Sequence, residues 1–275
     1  MMKRRTARRG SVADVRPQRS KAQMLKNVAA GIIANLATIV LTVAGGALLL
    51  LARRRALLRF WGIGETRKVR IYISHLHITT GGALDAHGTP RSYQGSVVTQ
   101  LESKMGSLLR NLFFASLPGG SVQPNWLKTF LFINADVDVQ PAPAMETAIE
   151  PGCTVVSLGS PGYNAVSGAI EQNCHSPVRF APGNGSIQLP GNLVITNPKQ
   201  CFVVRVQTGG RFWFYAAGLS EGGTAAAAYY LASQWKRLDR QYRKSHSFYV
   251  VLEIVGDDFR NSHIVSEAAI EMAAA

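Results

Sequence analysis

The stretch that decides the fold is CTVVSLGSPGYNAVSGAIEQN, residues 153–173. Its first six residues are apolar or hydroxylated and β-prone, which suits a strand buried on both faces. Gly159, Ser160, Pro161, Gly162 and Tyr163 then break the run, and Asn164 precedes a segment of helical character. A strand that ends in a glycine-rich turn and passes directly into a helix is the unit of an α/β sheet. RFWFYAAGLSEGGTAAAAYYLASQWKRLDRQYR, residues 211–243, repeats the pattern. There a strand over 211–216 leads through Gly218, Leu219, Ser220, Glu221, Gly222, Gly223 and Thr224 into a helix over 225–243.

Around these units the pattern predicts strands at 69–78, 130–139, 201–206 and 247–255, and helices at 95–116 and 165–173. Gly209-Gly210 marks a turn between two strands. The expected fold is α/β: a Rossmann-like, mostly parallel sheet with flanking helices, preceded by a single transmembrane helix. Ligands of such sheets sit outside the carboxyl ends of the strands.

The membrane segment is VAAGIIANLATIVLTVAGGALLLLA, residues 28–52. It has 25 residues without a charge, and as a helix it reaches about 37 Å, enough for a hydrocarbon core of about 30 Å. Backbone amides in lipid must be satisfied internally, which requires the helix. The run is too long for a signal peptide, and Arg53-Arg54-Arg55 makes a poor cleavage site.

Charge follows the same division. Residues 1–70 carry 16 Lys/Arg against 2 Asp/Glu, whereas residues 71–275 carry 14 of each. The globular part is neutral, so duplex nucleic-acid binding is not expected of it despite the net charge of +14. The expected organisation is a basic arm (1–27), the transmembrane helix (28–52), a basic juxtamembrane connector (53–68) with Phe60 and Trp61 at the interface, an α/β ligand-binding domain (69–256) and a tail (257–275). The flanking charges and three scattered cysteines, Cys153, Cys174 and Cys201, favour a single-pass protein of the cell (inner) membrane with a cytoplasmic soluble domain. Asn35, Gly45 and Gly46 suit close helix contacts, and so a homo-oligomer; their alternative is ordinary membrane-helix composition.

Both glycine-rich turns present free N–H groups and the positive end of a helix dipole, the local chemistry that receives phosphate or carboxylate. The candidate ligand-binding residues are Gly159, Ser160, Gly162, Tyr163 and Asn164 in the first turn. In the second they are Gly218, Ser220, Glu221, Gly222, Gly223 and Thr224, and Arg91 is a possible anion clamp. Tyr163 offers a face for a base, Glu221 a partner for ribose hydroxyls, and Thr224 an N-cap or phosphate donor. The alternative for both turns is a plain connector. No P-loop, serine-hydrolase elbow or metal-ligand set is present, His75-x-His77 lacking a third ligand by spacing. No cofactor is implied.

The second turn resembles the Gly-Gly-x-Gly-Thr turn of the SLOG superfamily, Rossmann-like domains that sense or process nucleotides and occur in bacterial conflict systems, some joined to membrane helices. The first turn resembles the Gly-Ser turn that such domains place on a neighbouring strand. The resemblance covers residues 153–255. It implies a nucleotide-binding sensor or effector in antiviral defence. The phosphoribohydrolase branch carries catalytic glutamates just after the Gly-Thr, where this chain has Ala226 and Ala227; the resemblance therefore implies binding without cleavage. A more distant likeness is to CRISPR-associated Rossmann-like domains that bind cyclic oligonucleotides.

The expected function is a membrane-anchored sensor that couples a nucleotide-like ligand to oligomerisation of its membrane helices. Two alternatives stand beside it. One is a tethered nucleoside or NAD glycosidase or transferase using Glu102 or Glu221 as catalytic carboxylate. The other is a structural membrane scaffold.

Overall fold

The computed structural model describes residues 18–63, 68–84, 90–113, 135–143, 149–174 and 176–270, with the backbone alone for 18–22, 76–84 and 90–97. Most of the basic arm, including residues 1–17, lies outside them. The chain divides into two compact units, Met1–Leu51 and Ala52–Ala275.

In the first unit the chain forms the greater part of helix α1 (Gln18–Trp61). The most apolar window of α1 has a mean hydropathy of 2.1 and buries none of its residues, so the helix is long and apolar enough to span a membrane. Ile33, Leu41 and Leu49 are among the exposed side chains. Thr38 and Thr42 donate their hydroxyls to the carbonyls of Ala34 and Thr38 at 2.9 and 2.8 Å, which hides two polar groups against the helix backbone.

The second unit is built on a seven-stranded sheet. Its strands are β1 (Lys68–Ile73), β4 (Asp136–Pro141), β5 (Thr154–Leu158), β9 (Gln200–Thr208), β10 (Arg211–Gly218), β11 (Phe248–Ile254) and β12 (Ser262–Ala269), in the order β12-β11-β9-β10-β5-β1-β4. A hairpin of β2 (Leu76–Leu84) and β3 (Pro90–Val97) follows β1, and β6 (Arg179–Phe180), β7 (Ile187–Leu189) and β8 (Leu193–Ile195) form a small separate sheet. Helices α2 (Gln100–Phe113) and α4 (Glu221–Gln241) share one core cluster with the end of α1, while the residues of α3 (Ala165–Asn173) and the small sheet share the other. Alternation along the strands explains the division. Val69 and Ile71 face the first cluster and Tyr72 the second; Phe214 and Ala216 face the first and Tyr215 and Ala217 the second.

Four readings of the sequence are corrected. The sheet is mixed: β1, β4, β5 and β10 are mutually parallel, but β9 runs antiparallel to both β10 and β11, as does β12 to β11. Gly209 and Gly210, at φ 56° and 73°, close a two-residue hairpin that reverses the chain, so β9 cannot join the parallel set. Residues 257–275 are not simply a tail, because β12 pairs with β11 and Glu267 receives Arg237 at 2.5 and 2.7 Å. The strand expected at 69–78 ends at Ile73, and the helix expected from 95 begins at Gln100, because residues 76–84 and 90–97 pair as β2 and β3.

The fourth correction concerns the connector. Helix α1 continues through residues 53–61, and Phe60 and Trp61 are fully buried instead of lying at a membrane interface. Leu57, Phe60 and Trp61 share a helix face by their spacing. That face meets Phe214, with ring centroids 5.5 Å from Phe60 and 4.5 Å from Trp61, and also Phe113 and Trp235. The joint is pinned by Arg205, itself buried. Its guanidinium donates to the carbonyls of Phe60 (3.2 Å), Tyr242 (3.2 Å) and His246 (2.7 Å) and lies 4.8–5.1 Å from the ring centres of Phe60, Phe212 and Phe248. It thus satisfies the carbonyl ends of two helices at once. Burial pulls its pKa down to about 10.

Candidate functional site

Because β1, β5 and β10 are neighbours and parallel, their carboxyl ends open on one rim. Both glycine-rich turns lie on that rim, and the end of β1 lies beside them. The three segments enclose a cavity of about 320 Å³ with the start of α2. Gly159, Ser160 and Tyr163 line it from the first turn, and Gly218, Leu219, Ser220, Glu221 and Thr224 from the second. Ser74, His75, Thr99 and Glu102 complete the lining.

The first turn is tied tightly to its neighbours. Gly159 sits at φ +97°, and a Cβ there would fall 1.8 Å from Ser74 Oγ, so only glycine fits. Its N–H donates to the Ala216 carbonyl at 3.1 Å, joining the ends of β5 and β10. Ser74 Oγ donates to the Leu158 carbonyl (3.1 Å), and the His75 N–H donates to the Tyr163 carbonyl (3.2 Å).

Asn164 is the N-cap of α3: Oδ1 accepts from the N–H groups of Val166 (3.0 Å) and Ser167 (3.4 Å). Its amide donates to the carbonyls of Tyr72 (3.2 Å) and Leu158 (2.7 Å). Its hydrogen-bonding capacity is therefore spent on the scaffold, which corrects its assignment as a ligand contact.

The second turn uses its residues differently from the sequence expectation. Helix α4 begins at Glu221, and Ser220 is the N-cap, accepting from the Gly223 N–H at 3.0 Å while donating to the Pro198 carbonyl at 2.8 Å. Thr224 is not the cap; its Oγ1 accepts from the Gly218 N–H at 3.3 Å and is buried. A Cβ on Gly218 would fall 2.7 Å from the Gly223 backbone, so this pair is small because strand and helix touch there. Gly162, Asn164, Gly222 and Gly223 shape the turns without lining the cavity. Arg91 is placed on β3 opposite Ala83, and its side chain lies outside the described residues, as does that of His77.

Glu102 is the group whose position the sequence left open. Thr99-Gln100-Leu101-Glu102 has the spacing of a capping box, and Thr99 Oγ1 accepts from the Glu102 N–H at 3.2 Å. In a capping box the glutamate turns back to the cap's own N–H. Here Oε2 instead accepts from the backbone N–H of Ser74 at 2.9 Å, across at the end of β1. Glu102 is 5% exposed, and burial pushes its carboxyl above the ordinary range, with the Ser74 hydrogen bonds opposing and the charge of Glu221 adding. A search for Ser/Thr-x-x-Glu would have found Thr99; nothing local marks Ser74 or Leu219.

Among the described lining residues the charged side chains are Glu102 and Glu221, both acidic. Tyr163 stands on the wall and is 55% exposed. Such a lining accepts hydrogen bonds from hydroxyl groups and offers an aromatic platform; among the described residues it supplies no Lys or Arg for a phosphate. No protein-family model, curated protein or solved structure matches this chain.

Proposed function

We propose that the chain is a membrane-anchored sensor or effector whose Rossmann-like, SLOG-like unit binds a nucleoside-type ligand at the shared rim. The single observation that carries this reading is the meeting of both glycine-rich turns around one cavity with Glu102 in its lining. The volume of about 320 Å³ stands at the lower end of the range for small-molecule sites, about 300–1,000 Å³, and suits one nucleoside better than an oligonucleotide. Ribose hydroxyls would donate to Glu102 and Glu221, and the base would stack on Tyr163; any phosphate would extend toward the N-terminus of α4.

In this reading α1 holds the protein in the cell membrane as a single pass with the α/β unit in the cytoplasm. Binding shifts a homo-oligomeric equilibrium in proportion to the difference in affinity between its states.

Calorimetry of the full chain in lipid nanodiscs against nucleosides, mononucleotides and cyclic oligonucleotides tests the reading. Binding that weakens about tenfold in Tyr163→Ala, in line with a base–aromatic stack of about 1–3 kcal/mol, supports it. A folded protein that binds none of them refutes it.

One observation favours a second reading, glycosidic cleavage. A carboxyl whose proton affinity is raised by burial, beside a second acidic side chain, is suited to protonate a leaving base while Glu221 takes the proton of the water that attacks the anomeric carbon. Chromatographic release of free base, abolished by Glu102→Gln with binding retained, would select it.

A further inference from the structure

The end of α1 and the end of α4 meet at a surface rich in cations. Arg59 Nε donates to Asp239 Oδ1 at 3.0 Å, and Arg243 reaches the same carboxylate at 3.7 Å. Arg55 precedes Arg59 by one helical turn, Arg240 lies in the last turn of α4, and Arg243 and Lys244 lie in the turn just beyond its end at Gln241. All five cations are exposed. Asp239 is 5% exposed at its side chain, so it joins the two helices from beneath without presenting negative charge at the surface.

The position of this patch along the chain is the second observation. Arg55 and Arg59 follow Ala52, the last residue of the uncharged run, by three and seven residues, or about 5 and 10 Å of helix rise. Those distances are comparable to the Debye length of about 8 Å at physiological ionic strength. The end of α4 is hydrogen-bonded to that same stretch of α1 through Arg59 and Arg205, so its cations are held close to it.

We propose that Arg55, Arg59, Arg240, Arg243 and Lys244 form a docking surface for the anionic phospholipid headgroups of the bilayer that holds α1. Charge complementarity and continuity with the apolar run single out this occupant. The patch seats the α/β unit against the membrane. This inference rests on the reading of α1 as a membrane anchor.

The test uses the full chain in vesicles and nanodiscs of phosphatidylcholine alone and of phosphatidylcholine mixed with phosphatidylglycerol. Alkaline carbonate extraction from the vesicles reads the anchor. Native mass spectrometry of protein released from the mixed nanodiscs reads which lipid remains bound. The expected result is carbonate-resistant protein that retains phosphatidylglycerol over phosphatidylcholine, with the preference falling about tenfold or more in R240E/R243E/K244E, at a few-fold per cation. The milder R240Q/R243Q/K244Q keeps the test open if charge reversal prevents folding, circular dichroism reporting the fold. Equal retention of both lipids, or a preference unchanged in the variants, overturns the docking surface while leaving the anchor intact. Release by carbonate overturns the anchor and the docking surface with it. Binding of a single-stranded RNA oligonucleotide through the same three residues, with no lipid preference, also overturns the proposal.

Discussion

Removing the last turns of α1 should unfold the α/β unit. Leu57, Phe60, Trp61 and Ile63 are 2%, 0%, 0% and 8% exposed, all within the larger core cluster. Each fully buried side chain of this size contributes about 1.5–3 kcal/mol. Their joint loss amounts to roughly 6–12 kcal/mol, against a usual domain stability of about 5–15 kcal/mol. The truncation also strips partners from two buried groups: Arg205 loses the Phe60 carbonyl, and Thr154 Oγ1 loses the Trp61 carbonyl it donates to at 2.9 Å. A chain of residues 52–275 should therefore show a cooperative thermal transition by far-ultraviolet circular dichroism, and a chain of residues 64–275 should not. Near-ultraviolet signal from the packed tryptophans reports loss of tertiary structure independently. If residues 64–275 unfold cooperatively at the same midpoint as 52–275, the end of α1 is an accessory to the core and the reasoning fails. In the full chain, Trp61→Ala should cost about 3–5 kcal/mol in denaturant unfolding.

Gly159→Ala should destabilise the unit by roughly 2–5 kcal/mol, since it combines a positive φ with a Cβ 1.8 Å from Ser74 Oγ, whereas Gly222→Ala, whose Cβ meets nothing nearer than Ser220 Oγ at 3.9 Å, should be neutral or slightly stabilising; paired denaturant curves check both. Glu102 holds its proton more tightly folded than unfolded, so stability should fall as pH rises from the ordinary carboxyl value of 4.5 through its higher folded value and then level off. Glu102→Gln should remove that decline and leave the variant more stable than the parent at neutral pH, read from denaturant midpoints between about pH 4 and about pH 8. Arg205→Ala leaves the buried Phe60 and Tyr242 carbonyls, and the partly buried one of His246, without this donor and should cost about 3 kcal/mol by the same measurement.

The local elements were legible where chemistry is local. Hydrophobic runs between glycines marked β5, β10 and β11, and the helices after the glycine-rich turns followed from their periodicity. Gly209-Gly210 marked a turn, but pairing direction depends on which strands meet across the sheet, and the antiparallel place of β9 emerged only there. Cap assignment also moved: Ser220 and Thr224 both have N-cap chemistry, and the contact between Gly218 and Gly223 decided between them by setting where α4 starts.

By itself the sequence determined that one segment is too apolar and too long for ordinary solvent exposure, and that two strands end in glycine-rich turns feeding helices. Both are properties of short windows, read from side-chain transfer energies and backbone freedom. Only the tertiary structure decided that the two turns share a rim, that Glu102 reaches across to Ser74, and that Phe60 and Trp61 belong to the core. These depend on contacts between residues far apart in the chain, such as Arg205 with Phe60, and a local pattern carries no record of its distant partner.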